Sequence, residues 1–346
     1  MNTDYKDFHF QALTDLWTGD AKQQNNRLIN IGLLGSIRWW FEVLVRGLDG
    51  AACDPTQTKC SDEKHCVVCE LFGCTGWARK FRFEVLDGNG AIRVKDKKYS
   101  PQIQANEKFI LRFIPLRSIC EKEWALLELS LRLIAEYGAI GGKTVLKPSD
   151  EPNRANEDHH KDYGIVELIE PLPSVEHFSR QELEKLKQYV RSDRWKKLAV
   201  SSGEKKFSWA SLQNFWCVKG RYLTRKGVDE SSFNYVIGRQ EPKNKSRLTD
   251  SWLAGFSADS KKKIEAESKK VFSFKNLLRD PPRNLPRTFG FVENTDIENW
   301  NTIKKKLNEL KKYPGWENFD IKKDFLTGSQ IIECLFNTKE GEDNEF

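Results

Sequence analysis

Four cysteines crowd into one short stretch, as Cys53-x6-Cys60-x5-Cys66-x2-Cys69, while Cys74, Cys120, Cys217 and Cys334 lie outside it. A Cys-x2-Cys pair supplies two thiolates from one tight turn, and Cys53 and Cys60 on the preceding loop complete a tetrahedral sulfur set of the kind zinc prefers. A full cysteine quartet leaves no open coordination position, so the expected zinc is structural. His65 and Cys74 are spare ligands that could replace one member. The quartet runs straight into Leu71-Phe72-Gly73-Cys74-Thr75-Gly76-Trp77-Ala78-Arg79-Lys80-Phe81, a glycine-bearing, basic and aromatic segment suited to approaching a nucleic-acid backbone.

Two further motifs carry small residues beside charge. In Gly32-Leu33-Leu34-Gly35-Ser36-Ile37-Arg38-Trp39-Trp40, Ser36 can cap a helix whose N-terminus would favour a phosphate, with Arg38 as a forked donor beside it. Trp39 and Trp40 project about 100° apart on such a helix, one toward a core and one toward an interface. In Gly138-Ala139-Ile140-Gly141-Gly142-Lys143, backbone N–H groups can face phosphates, and Lys143 adds charge. The spacing is not that of a P-loop. By themselves the helix entry reads equally as plain capping and the glycine run as a helix cap and loop; the candidates for RNA contact are Arg38, Arg79, Lys80, Gly141, Gly142 and Lys143.

Catalytic groups are sparse. The histidines are His9, His65, His159, His160 and His177, and none forms a nucleophile–base pair by spacing. Asp15 and Asp20 are the nearest thing to a carboxylate metal site. A mixture of base and ring marks the segment from Arg191 to Lys226, where Trp195, Phe207, Trp209, Phe215, Trp216 and Tyr222 interleave with lysines and arginines. That mixture suits phosphate contacts with base stacking, or equally a solvated basic face over an aromatic core.

The elements that must position these groups follow from periodicity. A strand is expected from Phe8 to Trp17. A helix over Ile31 to Leu48 carries Arg38, Glu42 and Arg46 as a one-turn charge ladder. Strands follow at Phe81 to Val85 and Lys108 to Leu116, then a helix over Glu121 to Tyr137 with Gly138 as its cap, and a strand from Tyr163 to Ile169. The order β-α-β-β-α-β is that of the ferredoxin-like unit shared with RNA-recognition domains. In the second half, helices are expected at Gln181 to Leu198 and Asp296 to Tyr313, and strands at Asn214 to Thr224 and Arg287 to Val292. Gln330 to Phe336 fits either type, and the charged run Lys261 to Lys275 reads as an exposed helix. The expected fold class is α+β, with a first, ferredoxin-like domain over 1–172, interrupted by a zinc-binding excursion at about 51–75, and a second domain over 173–346, degenerate ferredoxin-like or helical.

The formal charge of +7 on 346 residues is mildly basic, and 38% hydrophobic with 31% charged residues describes a globular chain. No apolar run reaches the roughly 18 residues that span a bilayer, and the start Met1-Asn2-Thr3-Asp4-Tyr5-Lys6 lacks a signal-type apolar core. A cytoplasmic protein, with reduced cysteines free to bind metal, is the expectation.

Taken in chain order, Leu34-Gly35-Ser36-Ile37-Arg38-Trp39-Trp40-Phe41, then Cys66-Val67-Val68-Cys69-Glu70-Leu71-Phe72-Gly73, then the glycine loop ending in Lys143 resemble the RAMP superfamily of CRISPR-associated proteins. Within it they are most similar to the subunit type numbered first in the type III-B (Cmr) effector complex. The resemblance covers roughly residues 8 to 147. One departure is that the family's glycine loop usually continues into a second Gly-x-Gly, where this chain has Val145-Leu146-Lys147-Pro148. The resemblance implies two ferredoxin-like folds, and a non-catalytic subunit that binds guide RNA near its 3′ region beside other RAMP subunits and helps capture target RNA. The competing expectations are a RAMP endoribonuclease, cutting target or guide-precursor RNA, and a zinc-stabilised scaffold with little RNA contact.

Overall fold

The computed structural model describes residues 5–19, 27–53, 60–93, 102–141, 161–171, 178–196, 209–223, 232, 268–274 (backbone), 286–292 and 295–336. Its first half runs β1 (Lys6–Ala12), α1 (Asn30–Gly47), α2 (Val67–Phe72), β2 (Phe81–Asp87), β3 (Lys108–Pro115), α3 (Glu121–Tyr137) and β4 (Val166–Glu170). The strands form one antiparallel sheet in the order β2-β3-β1-β4. In β1, Phe8, Phe10 and Ala12 are buried in alternation, so one sheet face packs on the helices. Phe10 stacks on Phe109 at 5.5 Å, and Phe8 meets Phe113 edge-on at 5.8 Å. Each such fully buried ring contributes about 1.5–3 kcal/mol.

The second half contributes α4 (Arg180–Arg191), β5 (Phe215–Lys219), β6 (Ser268–Phe274), β7 (Arg287–Val292), α5 (Ile297–Glu309), β8 (Phe325–Thr327) and α6 (Gly328–Leu335). Its sheet has the order β6-β7-β5-β8, so the two sheets repeat one strand order. All six residues of β7 are buried, as expected of a strand covered on both faces. The ambiguous segment near 330 is a helix, opened by a capping box between Thr327 and Gln330. The run expected as a charged helix supplies β6 instead. Pairing with β7, which is non-local, overrides its lysine content.

Gln181 to Leu198 was expected as a single helix; α4 ends at Arg191, and 197–200 lie outside the described residues. The expected domain boundary at 172–173 also lies outside them, and α4 beyond it packs back on the first half. Leu183, Leu186 and Val190 join the core of the first sheet. That core is continuous with Phe215, Phe289 and Phe291 of the second sheet.

Helix α1 lies between the sheets. Trp40 meets Phe215 and Phe289 at 5.8 Å each, and Trp39 meets Phe291 at 5.7 Å. A Cβ on Gly47 would lie 2.4 Å from the Leu212 side chain, which marks how closely α1 approaches the second half. Arg287 of β7 is buried and donates from Nη1 to the carbonyls of Ala135 (2.9 Å) and Gly138 (3.1 Å), capping the C-terminal end of α3. No described helix is long and apolar enough to cross a membrane.

Candidate metal centre and glycine loop

Cys66 is the N-cap of α2 and Cys69 lies one turn on, which directs both thiols to one side of this short helix. Cys53 and Cys60 close over them. All four residues are buried, and their sulfurs lie within 4.8 Å of one another, with Cys53 and Cys69 at 3.3 Å. Metal–sulfur bonds of about 2.3 Å in a tetrahedron place sulfurs about 3.8 Å apart, so the donor set fits a thiophilic divalent ion. His65 and Cys74 are not members. His65 binds the Glu70 carboxylate through Nε2 at 2.6 Å and the Ser61 carbonyl through Nδ1 at 3.1 Å.

The thiols compete for protons. Bonds from Cys53, then Cys60 and Cys69, pull Cys66 far down toward thiolate. The hydrogen bond to Cys66 in turn holds Cys53 up at about 11, and hydrogen bonds among the thiols raise Cys60 and Cys69 as well. Packed together, the four cannot all ionise unless a cation sits among them.

Gly73 ends α2 at a φ of 85°, and the chain turns so tightly that a Cβ there would lie 2.7 Å from the Arg79 nitrogen. The turn is closed by a bridge between Cys74 and Trp77. Trp77 is sandwiched between the His65 ring at 4.7 Å and the Arg117 guanidinium at 4.3 Å. Arg79 is exposed.

Lys80 is placed otherwise than the sequence suggests. Its ammonium is buried between Glu70 (2.6 Å) and Glu123 (2.8 Å), and Tyr189 of α4 donates to the same Glu123 carboxylate at 3.1 Å. Burial alone would lower the lysine, but the bonds to Glu123 and Glu70 outweigh it and leave it raised. Burial likewise pushes Glu70 up, and the bonds from Lys80 and His65 overcome it and leave it lowered. The charge expected to meet phosphate instead joins the metal lobe to α3 and α4.

Arg38 also differs from expectation. Helix α1 begins at Asn30, so Arg38 lies more than two turns inside it, far from the N-terminus. Its Nε donates to Glu42 at 3.0 Å, its Nη1 to the Gly73 carbonyl at 3.0 Å, and its Nη2 approaches the Cys69 and Cys53 sulfurs at 3.4 and 3.8 Å. Ser36 is likewise inside the helix and caps nothing. Its hydroxyl accepts from the Gly141 N–H at 3.0 Å, while Trp40 Nε1 donates to the Ala139 carbonyl at 2.8 Å. At Gly141, φ is 111° and a Cβ would lie 2.6 Å from the Trp17 carbonyl oxygen, so the close approach this glycine permits is to the protein's own backbone. Gly142, Lys143, His159, His160 and His177 lie outside the described residues.

Among the described aromatics of the basic stretch, Trp195, Trp209, Phe215 and Trp216 are buried and unavailable to a base, while Tyr222 is half-buried. Arg194 covers Trp195 at 4.0 Å, and Arg221 pairs with Asp324 at 3.7 Å. This is the arrangement of a basic face over an aromatic core.

Three motifs distant in sequence thus meet on α1. Residues 9–146, which contain all three, match the model of the RAMP superfamily. That stretch is similar to the RAMP superfamily. Among solved structures, the chain is similar to the crystal structure of Cmr1 from Pyrococcus furiosus in its apo form, with 12% identity, a TM-score of 0.42, and coverage of 84% of this chain and 88% of that one. No curated protein matches at the level of sequence.

Proposed function

We propose that this protein is a non-catalytic RNA-binding subunit of a type III-B (Cmr) CRISPR effector complex, binding guide RNA near its 3′ region and helping to capture target RNA. The carrying observation is the convergence on α1 of the helix, cysteine and glycine-loop motifs: Arg38 against Cys69 and Gly73, Ser36 against Gly141, and Trp40 against Ala139. Those are the motifs whose residues resemble the Cmr subunit, and they lie within the RAMP match. The repeated strand order of the two sheets supports reading both halves as ferredoxin-like.

On this reading zinc occupies the quartet of Cys53, Cys60, Cys66 and Cys69. It would supply cross-linking alone, fixing the loop between α1 and β2. RNA contact falls to Arg79, exposed ahead of β2, and to Gly142 and Lys143, which follow Gly141 in the sequence. Lys80 and Arg38 are left out, because protein partners already hold their charges. Arg79 lies near the N-terminal end of α3, through the neighbouring Lys80–Glu123 pair, and Gly141 follows its C-terminal end. A helix of 17 residues is about 25 Å long, so the two sets would touch different phosphates along one strand.

The test is co-purification with its own operon partners, followed by binding to guide RNA across a salt series. RNA and RAMP partners should accompany the protein, and log affinity should fall steeply with log salt. Discrete cleavage products from labelled target RNA, lost on mutation of one residue, would replace this reading with a nuclease. Affinity for partners without RNA, insensitive to salt, would replace it with a scaffold.

A further inference from the structure

Arg38 sits where no positive charge is needed to hold α1 together, since Glu42 already has Arg46 one turn on, at 3.7 Å. Its side chain is mostly buried, at 22% exposure, and every nitrogen has a partner. Nε is tied to the helix, Nη1 to the carbonyl that ends α2, and Nη2 to two members of the thiol quartet. A divalent ion with four thiolates carries a net charge of −2 in a buried place, and the guanidinium is the cation that abuts it. Its planar fork reaches the helix, the turn and the sulfurs at once, which a lysine ammonium cannot do.

We infer that Arg38 is a positioning residue for the metal centre: its N–H donors to Cys69 and Cys53 stabilise the thiolates and lock the cysteine lobe to α1. The inference rests on the quartet holding a metal. Partners of this outer kind typically change metal affinity by about 10–100-fold when lost. The same geometry explains the position of Arg38 in the helix. It is two residues, or about 200°, from both Ser36 and Trp40, so one helix serves the metal lobe and the glycine loop from opposite faces.

The experiment compares full-length wild type, Arg38→Ala, Arg38→Lys and, as a control, Arg82→Ala, which alters an exposed arginine on β2. Zinc content is measured first, then zinc affinity by competition with a chromophoric chelator, then the thiolate-to-cobalt charge-transfer band after cobalt(II) substitution. Arg38→Ala should bind zinc about 10–100-fold more weakly and shift the cobalt band. Arg38→Lys, which keeps the charge but not the fork, should fall between it and wild type, and Arg82→Ala should match wild type. If Arg38→Ala does not fold, Arg38→Lys and Glu42→Gln carry the test, with weakened zinc binding expected in both. Wild-type affinity and an unshifted band in the Arg38 variants overturn the inference and leave the metal centre standing. A wild type without stoichiometric zinc overturns both.

Discussion

The two faces of α1 hold their neighbours by different physics. On one face, Arg38, braced by Glu42, binds a lobe built from thiols and ions, continued by Lys80, Glu70 and Glu123. On the other, Ser36 and Trp40 hold the glycine loop through neutral hydrogen bonds, ring contacts and glycines that leave room for backbone. The first arrangement depends on charge and, with zinc in the quartet as proposed, would answer to chelation and acid. The second depends on volume, and answers to a single added methyl group. A loop fixed in this way can be disturbed without touching the metal, and the reverse.

If the quartet holds zinc as proposed, removing it should have the largest effect. Structural zinc in small cysteine sites binds with on the order of 10 kcal/mol, so chelation or Cys69→Ser should raise hydrogen exchange through α2 and the Cys74–Trp77 turn while Gly141 stays protected. Equal deprotection at Gly141 would show that the two faces are not separable.

Lys80→Met comes next. It leaves Glu70 and Glu123 buried without their ammonium, and should cost about 3–5 kcal/mol in denaturant unfolding. The pH dependence has a definite sign. Glu70 is lowered in the fold, so its contribution is present above the ordinary carboxylate value of about 4.3 and is lost as pH falls through the folded value. Lys80 is raised, so its contribution is present below about 10.4 and is lost as pH rises through its folded value. Stability curves of Lys80→Met should be flatter at both extremes, and curves parallel to wild type would remove the network from the account.

Gly141→Ala adds a Cβ at a left-handed φ against the Trp17 carbonyl and should cost about 1–3 kcal/mol, with zinc content unchanged. Ser36→Ala, which removes one acceptor from the Gly141 N–H, should cost about 1 kcal/mol and leave metal affinity alone. Zinc loss in either variant would mean that the faces communicate through the helix.

Much of the frame was legible in the residues. Helix α3 and strand β7 begin and end where periodicity put them, because each is a self-consistent run with its own stop signal. The cysteine quartet was legible too, since Cys66 and Cys69 are fixed by one turn of chain. What spacing could not show was the partners that folding supplies. Arg38, Lys80 and Ser36 read as phosphate donors and a cap because basic and small residues beside glycine have that use. Their partners lie 31, 43 and 105 residues away, at Cys69, Glu123 and Gly141. The same holds for β6, whose strand state depends on pairing with β7, and for the buried tryptophans of the basic stretch.

The sequence by itself therefore determined the local repeats and the thiol set, because spacing along the chain is enough to define them. Only the tertiary structure decided which charges are already held by the protein's own groups. A guanidinium or ammonium is claimed by whichever carbonyl, carboxylate or thiol folding brings within bonding distance, and α1 brings those groups to Arg38 before any phosphate arrives.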